Sequence, residues 1–317
     1  MNIIVAGGAG FIGSFLCDKL LTQHKVFCID NLVTGSQKNI SHLLENDNFT
    51  FINHDITKPL ADLPSVDAVF HLASPASPNH YSRLSYHNLA METMMANTLG
   101  TLELLKFTQK NKARFLFAST SETYGNPKEH PQKETYNGNV SAIGPRSVYD
   151  EAKRFGETLS FHFWRKEKTN IRIARIFNTY GPRMLSEDKR MIINFINQSL
   201  VNAPITIYGD GKQTRSLCYV HDLVEGLEKL MFQPNTSGEV VNLGSDEEHT
   251  VLEYAEMIKK LTNSKSEIIF SEPLPTDDPE RRKPDLSKAK TLLSWQPIIN
   301  LEHGLKKTID YFSDLKT

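Results

Sequence analysis

Cysteine is scarce: Cys17, Cys28 and Cys218 are the only three in 317 residues, odd in number, widely spaced and without a CxxC pair. That excludes a disulfide framework and the common thiolate metal or redox centres. Two of the three lie inside apolar stretches and read as small buried hydrophobes rather than as nucleophiles. An excess of charge of one sign is also missing, since 36 Lys+Arg stand against 37 Asp+Glu and leave a formal net charge of -1. Such a balance offers no general pull toward nucleic acid or an acidic membrane surface, so a small molecule is the expected partner. No apolar run reaches the roughly 18 residues of a membrane span. Met1 is followed by Ile3-Ile4-Val5-Ala6 and then glycines, not by a charged head and a long apolar core. The expectation is a reduced, cytoplasmic chain with no nucleic-acid partner, no membrane partner and no metal site, and without internal repeats.

The chain is long enough for a large sheet domain plus a smaller lobe. Apolar runs of strand length fall at 2–6, 25–30, 49–53, 67–73, 113–119 and 171–176, with amphipathic stretches between them. A segment such as Asp67-Ala-Val-Phe-His-Leu-Ala73 is apolar almost throughout, as strands of a parallel sheet covered on both faces are. The fold class is therefore α/β, with a doubly wound parallel sheet. Past residue 180 the rhythm breaks into helices near 187–202, 221–232 and 250–262, separated by turns such as Tyr208-Gly-Asp-Gly211. The expected division is 1–180 for a nucleotide-binding domain, with segments near 205–245 returning to it, and 181–317 for an interleaved, smaller, mixed substrate lobe. The Pro- and charge-rich stretch Pro273–Pro284 has the composition of a linker. It lies too near the end to join domains, which favours an ordered loop folding back over a site.

Gly7-Gly-Ala-Gly10-Phe-Ile-Gly13 follows the first strand and opens a helix. At that junction glycines permit a tight turn, close approach of the backbone to a pyrophosphate, and close packing of helix on strand, with the helix N-terminus facing the anion. The spacing is GxxGxxG, and glycine turns are common; the position makes the case for a Rossmann-type dinucleotide site. About 20 residues on, Asp30 ends the second strand, where a carboxylate accepts hydrogen bonds from an adenosine ribose and disfavours a 2'-phosphate. The cofactor expected is NAD. A turn or capping aspartate is the competing reading of Asp30 taken alone. Asp55, closing the third strand, is a weaker candidate for the adenine end.

Tyr149-Asp-Glu-Ala-Lys153 begins a helical stretch, and its i, i+4 spacing sets the phenol and the ammonium one turn apart on one face. A nearby Lys153 cation is expected to lower the phenol's pKa and equip Tyr149 as the base at a hydroxyl losing hydride. Lone YxxxK spacings are frequent by chance; this one falls on the helix after the fifth strand's loop. Ala118-Ser-Thr-Ser-Glu-Thr-Tyr-Gly125 leaves that strand at its carboxyl end, where open α/β sheets bind ligands. There Thr120 is placed to hydrogen-bond the reacting hydroxyl, and Glu122 is either a second acid–base group or a solvated loop glutamate.

These motifs resemble the extended short-chain dehydrogenases, and within them the UDP-glucuronate decarboxylases, or UDP-xylose synthases. The likeness runs nearly end to end: His71-Leu-Ala-Ser-Pro-Ala-Ser-Pro78, Ser119–Glu122, Gly144-Pro-Arg146, Arg175–Met184, Tyr208–Arg215, Asn242–Gly244, Glu248-His-Thr250 and Asp278–Asp285. The glycine, Tyr and Lys motifs are common to the superfamily, whereas the HLASPASP, EEHT and RKPD segments point to the decarboxylases. The resemblance implies oxidation at C4 of a UDP-sugar by bound NAD, loss of carbon dioxide from the 4-keto acid, protonation at C5 and return of the hydride. Tyr149 would be the base, Lys153 its partner, Thr120 the positioning group, and Glu122 an aid to decarboxylation or protonation. Around the glycines, Phe11, Ile12, Asn31 and Ile56 join the expected cofactor contacts, with Leu72 and Ser74 at the end of the fourth strand. Asn178, Arg190, Arg215 and Arg282 would hold the diphosphate, for which arginine forks are suited; Arg281 is the better candidate for a surface ion pair. A homodimer built from helices around 88–110 and 147–168 is implied too.

Two positions depart from the family pattern. Glu92 stands where a lysine near the sugar carboxylate is expected, and Leu185 replaces a polar residue. If Glu92 faced that carboxylate it would repel it. A 4-epimerase, a 4,6-dehydratase and a C4 dehydrogenase share the first hydride step and stay open as alternatives. A catalytically silent nucleotide sensor would be expected to have lost Tyr149 or Lys153, and both are present.

Overall fold

A computed structural model describes residues 1–60, 63–273 and 281–316. Six strands alternate with helices through the first half: β1 (Asn2–Ala6), β2 (Lys25–Asp30), β3 (Phe49–Asn53), β4 (Ala68–His71), β5 (Arg114–Thr120) and β6 (Asn170–Ile176). The helices here are α1 (Phe11–Leu21), α2 (Ala90–Met95), α3 (Thr101–Asn111) and α4 (Ser147–Glu167). Two short paired strands follow, β7 (Thr179–Tyr180) and, later, β10 (Cys218–Tyr219), on either side of α5 (Met191–Leu200), β8 (Ile205–Tyr208) and β9 (Thr214–Ser216). The remainder comprises α6 (Val220–Phe232), β11 (Val240–Leu243), β12 (Glu248–Thr250), α7 (Val251–Leu261), β13 (Ile268–Glu272), β14 (Arg281–Arg282), α8 (Ser287–Leu293) and α9 (Leu301–Asp314).

The main sheet has seven strands in the order β11-β6-β5-β4-β1-β2-β3, and every pair in it is parallel. Its strands are apolar on both sides because both sides are covered. In β1, Ile3 and Val5 enter one core while Ile4 and Ala6 enter the other, and all four are fully buried. At about 1.5–3 kcal/mol per large aliphatic or aromatic side chain removed from water, that burial is the main favourable term for the sheet. The strand order reverses between β1 and β4, which opens a crevice at the carboxyl ends of the strands. Strand β11 comes from the second half of the chain and pairs with β6. Two small sheets, β13-β8 and β12-β9-β14, stand outside the main one.

The stretch expected as one helix over 88–110 is interrupted. Residues Ala96–Gly100 wind as a π-turn between α2 and α3. Such turns arise where outside partners compete for local groups. Buried Asn97 donates to Ser74 Oγ at 2.8 Å as well as to the carbonyl of Thr93. The Thr101 hydroxyl commits its one proton to the carbonyl of Asn97 at 2.8 Å, so His71 Nε2, 3.0 Å from the same hydroxyl, is the donor there. Burial lowers His71 to about 3. It is a neutral clasp between β4 and α3.

Candidate active site

A cleft of about 450 Å³ opens at the carboxyl ends of the strands. One wall is the glycine turn. Gly10 is the N-cap of α1, and no side chain caps that end, so the first backbone N–H groups of the helix face the cleft. A Cβ on Gly7 would lie 2.6 Å from the backbone nitrogen of Ala73, and one on Gly13 would lie 2.1 Å from the carbonyl oxygen of Gly7. At Gly10 the nearest atom to such a Cβ is Gly7 O at 3.2 Å. The turn therefore packs tightly on its protein side while Gly10 stays approachable from the cleft, the shape a pyrophosphate needs.

The expected cofactor contacts divide into two groups. Gly7, Gly10, Phe11, Ile12, Gly13, Leu72, Ser74, Tyr149 and Lys153 all line the cleft. Asp30, Asn31, Asp55 and Ile56 do not. Asp30 is buried behind the turn and accepts from the backbone N–H of Ala9 at 3.0 Å and of Leu32 at 2.8 Å. Asn31 accepts from Val33 N, Asp55 takes both the backbone N–H and the hydroxyl of Thr57, and Ile56 packs against Gly100. Thr34 and Asn39 line the cleft at this end and carry no sequence motif.

The candidate reacting groups are set by β5 and α4. Thr120 ends β5 and caps the short turn Ser121–Tyr124, its Oγ1 accepting from Glu122 N at 3.2 Å. Tyr149 and Lys153 are buried on α4, and the Tyr149 phenol meets the Thr120 side chain. Lys153 Nζ lies 5.7 Å from the Tyr149 ring centre and donates to the carbonyl of Ala118 at 2.7 Å. The expected lowering of the phenol by Lys153 is not what these groups produce on their own. Burial, and then the charge on Glu122, push Tyr149 up; the Thr120 hydrogen bond and Arg190 offset this only in part. Burial lowers Lys153 itself to about 7. Tyr86, not singled out in the sequence, stacks on Tyr149 at 4.9 Å with the rings 8° from parallel.

Glu122 is no solvated loop residue. Arg146 donates to its Oε2 at 2.6 Å, and Arg282 grips both of its oxygens, at 3.1 Å on Oε2. Burial alone would raise the Glu122 carboxyl, but Arg146 and then Arg282 outweigh it and hold the group at about 2. Asp150, next to Tyr149, shows the reverse: burial and then the Glu122 charge raise it to about 8. Its Oδ1 is buried without a hydrogen bond. For an acid raised on folding, the native state keeps a proton that the unfolded chain has lost, so stability falls as pH rises from about 4 toward about 8. Asp150→Asn is expected to stabilise the protein more at pH about 8.5 than at pH about 5. Thermal melts at the two values check this, and an equal change at both would show that Asp150 is ionised throughout.

Arg282 reaches Glu122 because β14 lies parallel to β9, with Arg282 in register with Arg215. Gln132, fully buried, clasps the segment that follows: its backbone N–H donates to Lys283 O at 2.8 Å, its Oε1 accepts from Lys283 N at 2.9 Å, and its carbonyl accepts from Asp285 N at 2.8 Å. Residues 281–284 of the Pro273–Pro284 stretch thus return to the cleft, while residues 274–280 lie outside the described residues. Arg281 is exposed, whereas Arg282 and Arg215 are buried. Asn178, Arg190, Arg215 and Arg282 all line the cleft. Arg190 pairs with Asp188 at 2.9 Å and donates to the carbonyl of Ala76 at 2.8 Å. Ser77 and Asn79 add bonds to the carbonyls of Asp188 and Lys189, closing one wall. Leu185 also lines the cleft.

Glu92 does not. It is exposed on α2 and outside the cleft lining, so the repulsion of a bound carboxylate expected from its position in the sequence does not arise. Arg146, present in the sequence only as part of the Gly144-Pro-Arg146 motif and given no site role there, also lines the cleft. A basic side chain at the N-terminal end of a long helix opposes the helix dipole, and that mismatch was the available signal. Among the described residues no group of three or more His, Cys, Asp or Glu is placed to hold a metal ion.

A parallel doubly wound sheet with a glycine turn, a Tyr–Lys pair on α4 and a Thr at the end of β5 defines a class of nucleotide-dependent oxidoreductase-type enzymes. The chain belongs to the extended short-chain dehydrogenase family: a family model described as GDP-mannose 4,6 dehydratase matches residues 4–308. It is 50% identical over 313 residues to UDP-glucuronic acid decarboxylase 1 of Danio rerio, covering 98% of this chain and 72% of the relative. With UDP-glucuronic acid decarboxylase 1 of Arabidopsis thaliana it shares 49% identity, over 98% of this chain and 70% of the relative. Among solved structures, a UDP-glucose 4-epimerase of Thermotoga maritima with UDP-glucose is similar at a TM-score of 0.88 and 30% identity, covering 100% of both chains. A UDP-glucuronic acid 4-epimerase of Bacillus cereus, in complex with UDP-glucuronic acid and NAD, gives a TM-score of 0.85 and 31% identity over 99% of this chain and 100% of that one.

Proposed function

We propose that this protein decarboxylates UDP-glucuronate to UDP-xylose with a bound NAD. The observation that carries this is the near full-length identity to the curated decarboxylases, 50% against 31% for the UDP-glucuronic acid 4-epimerase. The glycine turn and the N-terminus of α1 hold the NAD pyrophosphate, and Asp30 braces that turn from behind through the backbone N–H of Ala9. NAD held there would supply a hydride acceptor and donor at C4; with C4 as a ketone, the carboxylate beta to it can leave as carbon dioxide, and C5 takes a proton before C4 is reduced again. Thr120 orients the C4 hydroxyl, and Tyr149 takes its proton and later returns it. Lys153, bonded to Ala118 O, supports the phenolate. Asn178, Arg190 and Arg215 hold the diphosphate, and Arg282 works beside them at the sugar. Glu122, held ionised by two guanidiniums, acts at the carboxylate end of the sugar as a fixed charge and acceptor, not as a standing proton donor.

The interleaved division into a nucleotide-binding domain over 1–180 with returning segments and a substrate lobe over 181–317 belongs to the same reading. So does a homodimer across α2 and α4, where Met91 and Phe155 are more than half exposed. Three buried free thiols fit a reducing, cytoplasmic setting. No helix among the described residues is long and apolar enough to cross a membrane. The test is incubation of the purified protein with UDP-glucuronate, with and without added NAD, followed by mass spectrometry and carbon dioxide release. UDP-pentose with carbon dioxide is expected. An isobaric product would replace the reading with epimerisation, and unchanged substrate would move it to a non-acidic nucleotide sugar.

A further inference from the structure

We propose that Glu157 is the positioning residue for Lys153: fastened to β5 and β6 through Ser119 and Arg175, it sets a fixed carboxylate one helical turn beyond the ammonium and keeps that group a cation beside Tyr149. The inference rests on the reading of Tyr149 and Lys153 as the proton-transfer pair, and not on which sugar they act upon.

Tyr149, Lys153 and Glu157 follow one another at i, i+4 and i+8 on α4, so they share one side of the helix, and all three are buried. That side lies close on β5 because residue 156 is glycine: a Cβ there would stand 2.4 Å from the Phe117 ring. The close approach delivers two hydrogen bonds to adjacent residues of the strand. Lys153 Nζ donates to Ala118 O at 2.7 Å, and the Ser119 hydroxyl donates to Glu157 Oε1 at 2.6 Å. From β6, where Arg175 is in register with Ser119, the Arg175 guanidinium donates to the same oxygen through Nε at 2.9 Å and to Oε2 at 2.8 Å. Three bonds from two strands fix the carboxylate, although Glu157 itself stays outside the cleft lining.

Lys153 needs such a neighbour. It is 3% exposed, so water does little to hold its charge; burial works against the ammonium, and Glu157 works for it. The other groups facing Lys153 do not replace that carboxylate. Phe117 of β5 offers the face of its ring at 5.0 Å and Tyr149 of α4 its ring at 5.7 Å. His71, which feels Lys153 from β4, can carry only positive charge. Glu122, just beyond β5, is gripped by Arg146 and Arg282. Arg175, from β6, faces Glu157 and the Tyr124 ring, the latter at 4.9 Å. A neutral lysine would give a phenolate no electrostatic support, so a carboxylate one turn away bears on the proton transfer without meeting the substrate.

The experiment compares the wild type with Glu157→Gln, Glu157→Asp and the Glu157→Gln/Arg175→Met double variant, which removes both charges and so leaves no buried guanidinium facing an amide. In full-length protein loaded with NAD, kcat and KM for UDP-glucuronate are followed across the neutral and alkaline range. The alkaline limb of kcat is expected about one pH unit lower in Glu157→Gln and in the double variant, a loss of about tenfold on that limb and little at the acid end, with KM nearly unchanged. Glu157→Asp, which keeps the charge, should return the limb toward its wild-type position even where kcat is lower throughout. Without any substrate, the titration of Lys153 is read by NMR of protein labelled with isotopic lysine, its resonance assigned by its loss in Lys153→Met, and the same downward displacement is expected. A loss of equal size at every pH, with Lys153 titrating as in the wild type, would make Glu157 a brace alone and overturn the proposal. Should Glu157→Gln fail to fold, the double variant decides on the same two readouts. A wild type that leaves UDP-glucuronate unchanged would instead overturn the decarboxylase reading, and the NMR titration would still decide the role of Glu157.

Discussion

Tyr149→Phe is expected to lower kcat by about 10²–10⁴ while leaving the protein folded, because general acid–base catalysis by one positioned group is worth that much. The phenylalanine ring keeps the stack on Tyr86, 4.9 Å away and nearly parallel, and the buried face of α4 is unchanged. Only the oxygen in contact with Thr120 is lost. Burial and the Glu122 charge hold the phenol protonated in the protein by itself. Its proton is therefore taken up and released only around a bound sugar hydroxyl, not exchanged freely with solvent. Single-turnover assays with UDP-glucuronate, compared with the melting temperature, measure the two effects separately. Retention of more than about a tenth of wild-type kcat would assign the proton transfer to another group.

Glu122→Gln should abolish turnover and also cost stability, on the order of 3 kcal/mol, since two buried guanidiniums then face a neutral amide. The pH dependence has a definite sign. Arg146 and Arg282 depress the folded-state pKa of Glu122 to about 2, below its ordinary 4.5. The stability this contributes is complete above about pH 4.5 and is lost as pH falls through about 2, because the native carboxylate resists a proton that the unfolded one accepts. Acid titrations followed by circular dichroism should show the wild type losing more stability than Glu122→Gln across that window. Parallel acid curves for the two proteins would mean that Glu122 contributes no ion-pair energy.

These two residues show how unevenly the site could be read from the chain. The Tyr149–Lys153 spacing, the glycines at 7, 10 and 13 and the position of Thr120 at a strand's end depend on neighbours a few residues away, so local order is enough to find them. The strands were legible for the same reason. A run such as Ile3–Ala6 in β1, apolar at every position, fits a sheet buried on both faces, and β2, β3 and β5 are observed within a residue of their expected limits. The helix over 88–110 was not legible in detail, because its π-turn depends on Asn97 bonding Ser74 across 23 residues.

The surroundings of Glu122 depended on tertiary structure still more. Its partners come from 24 and 160 residues away, and the second arrives only because β14 lies in register with β9 and Gln132 holds the segment behind it. Glu92 reversed its meaning for the same reason: a charge is repulsive only if it faces the ligand, and α2 turns this one to the outside. The sequence by itself determined the fold class, the dinucleotide turn and the pairing of Tyr149 with Lys153 on one helix face, because periodicity and short spacings encode them. Only the tertiary structure decided the charge on Glu122, the neutrality of Asp150 and the entry of Arg146 into the site. Each of those depends on burial and on distances between segments far apart in the chain, and a linear pattern carries neither.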